Sequence, residues 1–216
     1  MESDRALQQD VLDELEFEPS VDAAHIGVTA KDGVVTLSGF VSSYAEKSAA
    51  ERAAARVKGT KAIAEEIEVR LPQERQRSDD EIAKRALDIL NWDAAVPKGR
   101  IKIKVEKGVV TLTGQVDWQY QRTEAATDVR KLSGVVAIVN QITLRPTINP
   151  ANVKEQILGA LRRNAETDAS GIRVEVQGNK VTLAGQVHGW RERNIAEHAA
   201  WSTGGVAQVE DHIIVL

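Results

Sequence analysis

The sequence predicts an α+β protein of three tandem units, each about seventy residues ordered α-β-β-α-β, with a small mixed three-stranded sheet and two helices packed on one face. Three observations predict it. The stretches Gly33–Phe40 (GVVTLSGF), Gly108–Gln115 (GVVTLTGQ) and Gly178–Gln186 (GNKVTLAGQ) repeat one pattern. Their closing glycines, Gly39, Gly114 and Gly185, are spaced by 75 and 71 residues, and a second glycine column, Gly59, Gly134 and Gly205, keeps both spacings. Apolar columns keep them too: Leu7/Ile82/Val153, Leu12/Leu87/Leu158, Leu15/Leu90/Leu161, Ile26/Ile101/Ile172, Ile63/Ile138/Val209 and Ile67/Ile142/Ile213. Polar residues between these columns drift, as expected of one core written three times. The units are 1–71, 76–145 and 149–216.

Each unit opens with a helix. In the second copy Ile82, Ala86, Leu87 and Leu90 fall on one helical face. Ser78-Asp79-Asp80-Glu81 has the spacing of a capping box, in which serine and glutamate satisfy orphan amides reciprocally. The third copy opens on Asn149-Pro150, a cap residue and then proline at the first helical position. A strand follows, with Ile101–Val105 alternating apolar and polar residues. Glu106-Lys107-Gly108 turns the chain back. The second strand, Val109–Thr113, ends at Gly114, which marks a bulge or a close backbone approach.

The second helix covers about 43–58, 118–132 and 190–203. Its inner face is small, with Ala49, Ala50 and Ala53 in the first copy and Ala196, Ala199 and Ala200 in the third. A last strand carries Ile63/Ile67, Ile138/Ile142 or Val209/Ile213, so the helix before it makes a right-handed crossover. Segments 72–77 and 146–150 contain proline and read as short, semi-rigid linkers. Gly33, Gly39, Gly59, Gly108, Gly114, Gly134, Gly178, Gly185 and Gly205 are structural glycines on this reading.

Composition excludes several functions. The chain has no cysteine, hence no disulfide, thiolate metal site or cysteine nucleophile. The four histidines, His25, His188, His198 and His212, form no metal-ligand spacing and do not recur between copies. No nucleophile elbow, phosphate loop or dinucleotide fingerprint is present. The expectation is a protein without catalytic residues, metal or cofactor. Net charge is −4 and there is no clamp loop for nucleic acid, so no nucleic-acid partner is expected. The first residues lack the basic start and apolar run of a secretory signal, so a cytoplasmic location is expected, or a periplasmic one if a signal has been removed.

The second copy carries Gly108-Val-Val-Thr-Leu-Thr-Gly114-Gln-Val116, then Gly134-Val135, Ile138, Asn140 and Ile142. This pattern, with the element order and the alanine-rich helix, resembles the BON domain, named for bacterial osmotically inducible and nodulation proteins. The first copy departs at Thr60 and Glu65. The third departs at Asp211, and at Asn179-Lys180, which predicts a longer turn. The resemblance covers nearly the whole chain and implies a non-enzymatic, stress-associated module that contacts phospholipid or envelope assemblies. Three copies without a signal look like a cytoplasmic subtype of the family.

Candidate binding residues lie where the copies differ. The units carry net charges of −6, +3 and −1, so the middle one is cationic. Its excess gathers at Lys98, Arg100, Lys102, Lys104 and Lys107. Arg100, Lys102 and Lys104 alternate with Ile101, Ile103 and Val105 and are expected to project from the open sheet face as one stripe. Such a stripe meets anionic headgroups, or it guards a strand against edge pairing. Tyr44, Trp118, Tyr120 and Trp190 gather where second helices begin, either as interface aromatics or as packing over a loop. Trp118 and Trp190 join the lipid-binding candidates. Phe17 and Trp92 align and are expected to staple the end of the first helix to the core, and Trp201 reads as a core or inter-unit contact. The leading expectation is avidity of three weak modules for a phospholipid surface or an envelope protein. Capture of client proteins and sensing of a small ligand or ion are the alternatives. Nothing in the sequence sets the oligomeric state.

Overall fold

The computed structural model describes residues 2–145, 152–163 and 171–216. The Asn149-Pro150 helix start and the 146–150 linker lie outside them. The first module contains α1 (Glu2–Phe17), β1 (Ile26–Lys31), β2 (Val34–Val41), α2 (Tyr44–Arg56) and β3 (Ala62–Val69). The second contains α3 (Asp79–Trp92), β4 (Ile101–Glu106), β5 (Val109–Val116), α4 (Gln119–Arg130) and β6 (Ala137–Leu144). The third contains α5 (Val153–Arg163), β7 (Ile172–Gln177), β8 (Lys180–Val187), α6 (Trp190–Trp201) and β9 (Gln208–Val215). Each module has its own sheet, ordered as in the chain, with the first two strands antiparallel and the last two parallel. A parallel neighbour requires a crossover, and the second helix of each module supplies it.

The two-residue hairpin loops follow from backbone chemistry. Lys107 and Gly108 stand at φ 52° and 75°, and Asp32 and Gly33 at 53° and 83°. Two successive positive φ values are what a type I′ turn demands. The third turn is no longer than the others, contrary to the sequence expectation. Gln177 pairs with Lys180, leaving the two residues Gly178 and Asn179, with Gly178 at φ 62°. The glycine has moved one place within a loop of constant length.

Gly114 lies inside β5 and makes no bulge. Pairing with β4 continues through it to Ile101. A Cβ there would run into the Arg100 carbonyl oxygen, as at Gly39 against His25 and at Gly185 against Gly171.

Each core lies between one sheet face and two helices. In the first helices the buried line is Leu7/Val11/Leu15, Ile82/Ala86/Leu90 and Val153/Ile157/Leu161, at i, i+4 and i+8. Leu87, expected on that face, is 48% exposed, because it sits 100° round the helix from Ala86. The expected aromatic staples are also absent. Phe17 is 82% exposed and Trp92 is 91% exposed, each at the last residue of its helix and pointing to solvent. The capping box at Ser78 does not form. Its hydroxyl caps no helix amide, and Glu81 pairs with Arg85 at 2.9 Å.

Reciprocal capping occurs at the second helices. Ser43 accepts from the Glu46 amide at 3.2 Å, and Glu46 accepts from the Ser42 amide at 2.9 Å. Gln121 and Glu192 reach back in the same way to the amides of Trp118 and His188. Gly189, which caps α6, has no side chain to complete the exchange. Its backbone is extended, and a Cβ there would meet nothing within 4 Å. Gly189→Ser is therefore expected to raise stability by about 0.5 kcal/mol, read as a higher urea midpoint with an unchanged slope.

The modules meet in a closed ring. Tyr44, at the start of α2, packs against the core of the second module. The Trp118 ring, before α4, lies beside Gly204 of the third. Trp190, at the start of α6, donates its Nε1 proton to the Thr60 carbonyl of the first at 2.8 Å. Trp201 packs against both the third and the second cores.

Candidate functional site

The predicted cationic stripe is only partly available. β4 is an edge strand, and Lys102 and Lys104 stand exposed on its open face. Lys104 pairs with Glu106 at 2.9 Å. Arg100 precedes the strand and donates to Asp117 at 2.6 Å, and Arg145 lies 3.5 Å from the same carboxylate. Lys98 is exposed in the preceding loop, and Lys107 stands in the hairpin turn, where its amide donates to Asp79 at 2.8 Å. The tryptophans do not join these cations. Trp118 is partly exposed and faces the third module. Trp190 is an inter-module contact, with the Arg193 guanidinium 4.8 Å from its ring centroid.

A large cleft lies elsewhere, between the first and third modules. It has a volume of about 1270 Å³ and runs between the end of α2, α5 and the start of α6. Five arginines and lysines line it: Arg52, Arg56, Lys58, Arg163 and Arg191. His188 and His198 add two groups that charge on protonation. Among the described residues no aspartate or glutamate lines it. Its apolar wall includes Val57, Ala160, Trp190 and Ile195.

The cations differ in availability. Arg56 is held by Glu14 at 2.8 Å and Glu18 at 2.9 Å, which raise its pKa. Glu18 is correspondingly lowered, first by its Ser20 hydrogen bond and then by Arg56. Arg52 donates to Ser48 at 2.9 Å and has no carboxylate partner among the described residues. Lys58 and Arg163 have no carboxylate partner among the described residues. Clustered cations beside an apolar wall are surroundings that suit a group anionic at one end and apolar at the other. Among the described residues the lining pairs no carboxylate with a base, and no group of side chains suited to a metal ion occurs.

Sequence reasoning missed this cleft because its cations come from three distant segments of the two units with net negative charge. One local signal was readable. Phe17, Trp92 and Arg163 occupy one repeat position, so the third module replaces an exposed aromatic with a cation.

A second repeat position ties helix to sheet in every module. Glu65, Asn140 and Asp211 each accept from the strand amide two residues on, at 2.7, 3.2 and 2.8 Å. Glu65 also pairs with Lys47 at 2.7 Å, and Asp211 with Arg193 at 2.6 Å. Asn140 instead donates to the Arg122 carbonyl at 3.0 Å. The two departures from asparagine are thus matched by cations in the facing helix.

The BON domain family model matches residues 3–70, 78–146 and 149–216. A curated relative, Osmotically-inducible protein Y of Escherichia coli (strain K12), is 30% identical over 127 residues, 57% of this chain and 63% of that protein. The matched stretch thus spans under two thirds of that relative. Among solved structures, the C-terminal domain of CdsD, a structural protein of the type III secretion system of Chlamydia trachomatis, aligns with a TM-score of 0.28 at 14% identity, over 97% of each chain. A second CdsD structure gives 0.27 at 14% identity, over 98% of this chain and 92% of that one.

Proposed function

The chain belongs to the BON domain family, three copies of it in tandem, and from that premise we propose that it is a non-enzymatic, stress-associated protein that engages anionic phospholipid. The observation that carries this reading is the cleft between the first and third modules, with five basic side chains, no acidic one among the described residues and an apolar wall. Headgroup phosphates suit the cations, and acyl carbons suit the wall. Each basic residue near an anionic surface contributes about 1 kcal/mol. The exposed rings of Phe17 and Trp92 add apolar surface of the kind that settles at bilayer interfaces. No described helix is long and apolar enough to cross a membrane, so contact would be peripheral. The inducible relative named above supports the stress association.

The same two exposed rings also favour a second reading, in which the protein holds client or envelope proteins. Co-sedimentation separates the two. Vesicles of phosphatidylglycerol are expected to recover the chain, vesicles of phosphatidylcholine are not, and salt is expected to release it, because headgroup attraction is screened. Lys58→Gln and Arg163→Gln are each expected to weaken recovery about fivefold. Equal recovery on both vesicle types would exclude the phospholipid reading. Suppression of client aggregation without lipid would favour the second.

A further inference from the structure

Helix α4 carries four solvent-shielded polar atoms that lack a hydrogen-bond partner, and besides Asp128 Oδ2 they are Gln119 Oε1, Arg122 Nε and Arg130 Nε, of the three residues that face one cavity. Their side chains line one cavity of about 380 Å³, bounded also by Tyr44 of the first module and by Glu197 and Trp201 of the third. It is separate from the cleft described above and shares no lining residue with it.

The repeat shows why these arginines are unusual. The positions equivalent to Arg122 hold Lys47 and Arg193, and each of those cations has a carboxylate from the last strand of its module. The second module keeps the cation but holds Asn140 where the acid would stand. Arg130 replaces Ala55 of the first module and Trp201 of the third, which brings a second cation to the cavity. Neither arginine side chain has a hydrogen bond or ion pair with a described residue. Each arginine is partly exposed, but its Nε–H is shielded from water and lacks an acceptor, which is costly. Two such donors at one cavity, one of them at a position that the sister modules pair internally, point to an anion from outside the chain.

The unpartnered groups define that anion. Two donors, Arg122 Nε and Arg130 Nε, need acceptors, and one acceptor, Gln119 Oε1, needs a donor. Two arginines and Glu197 give the lining a net charge of +1, which a monoanion balances. The arginines stand eight residues apart on one helix, about 12 Å along its axis at the backbone, and both long side chains line the one cavity, so the ligand presents two acceptor groups, one to each. Glu197 already accepts from Trp201 Nε1 at 3.3 Å and leaves the indole face as apolar wall.

We propose that this cavity binds a small amino-dicarboxylate, its two carboxylates meeting Arg122 and Arg130, its ammonium meeting Gln119 and Glu197, and its carbon stem lying against Trp201 and Tyr44. Such a molecule carries one net negative charge. Its site is built from all three modules, so binding draws the ring together.

Thermal unfolding and calorimetric titration of the full chain with L-glutamate test this, with L-glutamine, butyrate and inorganic phosphate as comparison probes. L-glutamate is expected to raise the melting temperature saturably. L-glutamine and butyrate, each lacking one carboxylate, are expected to bind about tenfold more weakly or worse. Arg122→Gln and Arg130→Gln are each expected to weaken L-glutamate binding about tenfold, and the unliganded variants to melt no lower than the parent. An equal L-glutamate shift in the double variant would show a general solute effect and overturn the site. Arginine-dependent binding of phosphate in preference to L-glutamate would overturn the assignment of the ligand. No saturable response to L-glutamate would leave water as the partner of these groups and sink the proposal. Should a variant fail to fold, the ranking of the four probes on the parent chain still decides.

Discussion

Gly114→Ala is expected to destabilise the second module by about 3 kcal/mol, and the equivalent changes at Gly39 and Gly185 to do the same in theirs. Two effects combine. The residue sits at φ 136°, outside the region that L side chains occupy. A Cβ there would also overlap the Arg100 carbonyl oxygen on β4, a backbone atom that is unable to rotate away. Relief requires the two strands to part at the Ile101–Gly114 pair, which opens the sheet beside Val110, Leu112 and Val116. Urea unfolding is expected to show an early transition for the altered module. Gly99→Ala is the control, since it also has positive φ, 74°, but a Cβ there meets nothing within 4 Å. If both changes cost the same, conformational strain alone would account for the loss and the close approach would contribute nothing.

Asp128→Ala is expected to stabilise the second module by about 2 kcal/mol at neutral pH. Asp128 is 7% exposed and stands in a column whose other members, Ala53 and Ala199, are buried alanines. Burial raises its pKa above the ordinary 3.8, and the neighbouring Asp93 carboxyl adds to the rise, against the opposing pull of Lys131 at 3.1 Å. One carboxylate oxygen, Oδ2, has no hydrogen-bond partner. The folded state binds this proton more tightly than the unfolded state does. Its contribution to stability is therefore full below pH 3.8 and is lost as pH rises through the folded value. The parent chain is expected to lose stability relative to Asp128→Ala over that window. A constant difference between the two across the acid range would show that the proton has no part in it.

Much of the fold is legible in the sequence because the same physical demands recur three times. A column that stays apolar through Ile26, Ile101 and Ile172 while its neighbours vary is under one constraint, packing into the core, with Ile26 and Ile172 buried and Ile101 partly so. Errors arose where a hydrophobic residue lay near a buried line without being on it. Leu87 is more apolar than Ala86, yet the phase set by Ile82 and Leu90 selects the alanine. Phe17 and Trp92 show the same limit, since their chemistry suggests a staple and their place at a helix end leaves them in solvent. The exchange of alanine for Asp128 and of acid for Asn140 could be read from the alignment of the copies alone. The cleft could not, because its charges converge only once the modules are docked, and no repeated column encodes the docking.

The hydrogen bond from Trp190 back to Thr60 spans 130 residues of chain and makes the first and last modules neighbours. The three contacts run head to tail, first onto second, second onto third and third onto first, as in a cyclic oligomer whose subunits share one chain. A closed cycle has no free end on which to add. A fourth module would find its docking surface occupied, and a two-module chain would leave one surface bare. Three modules thus satisfy the closure of this cycle. A chain with another number of such modules would be an assembly of different geometry, built from the same part.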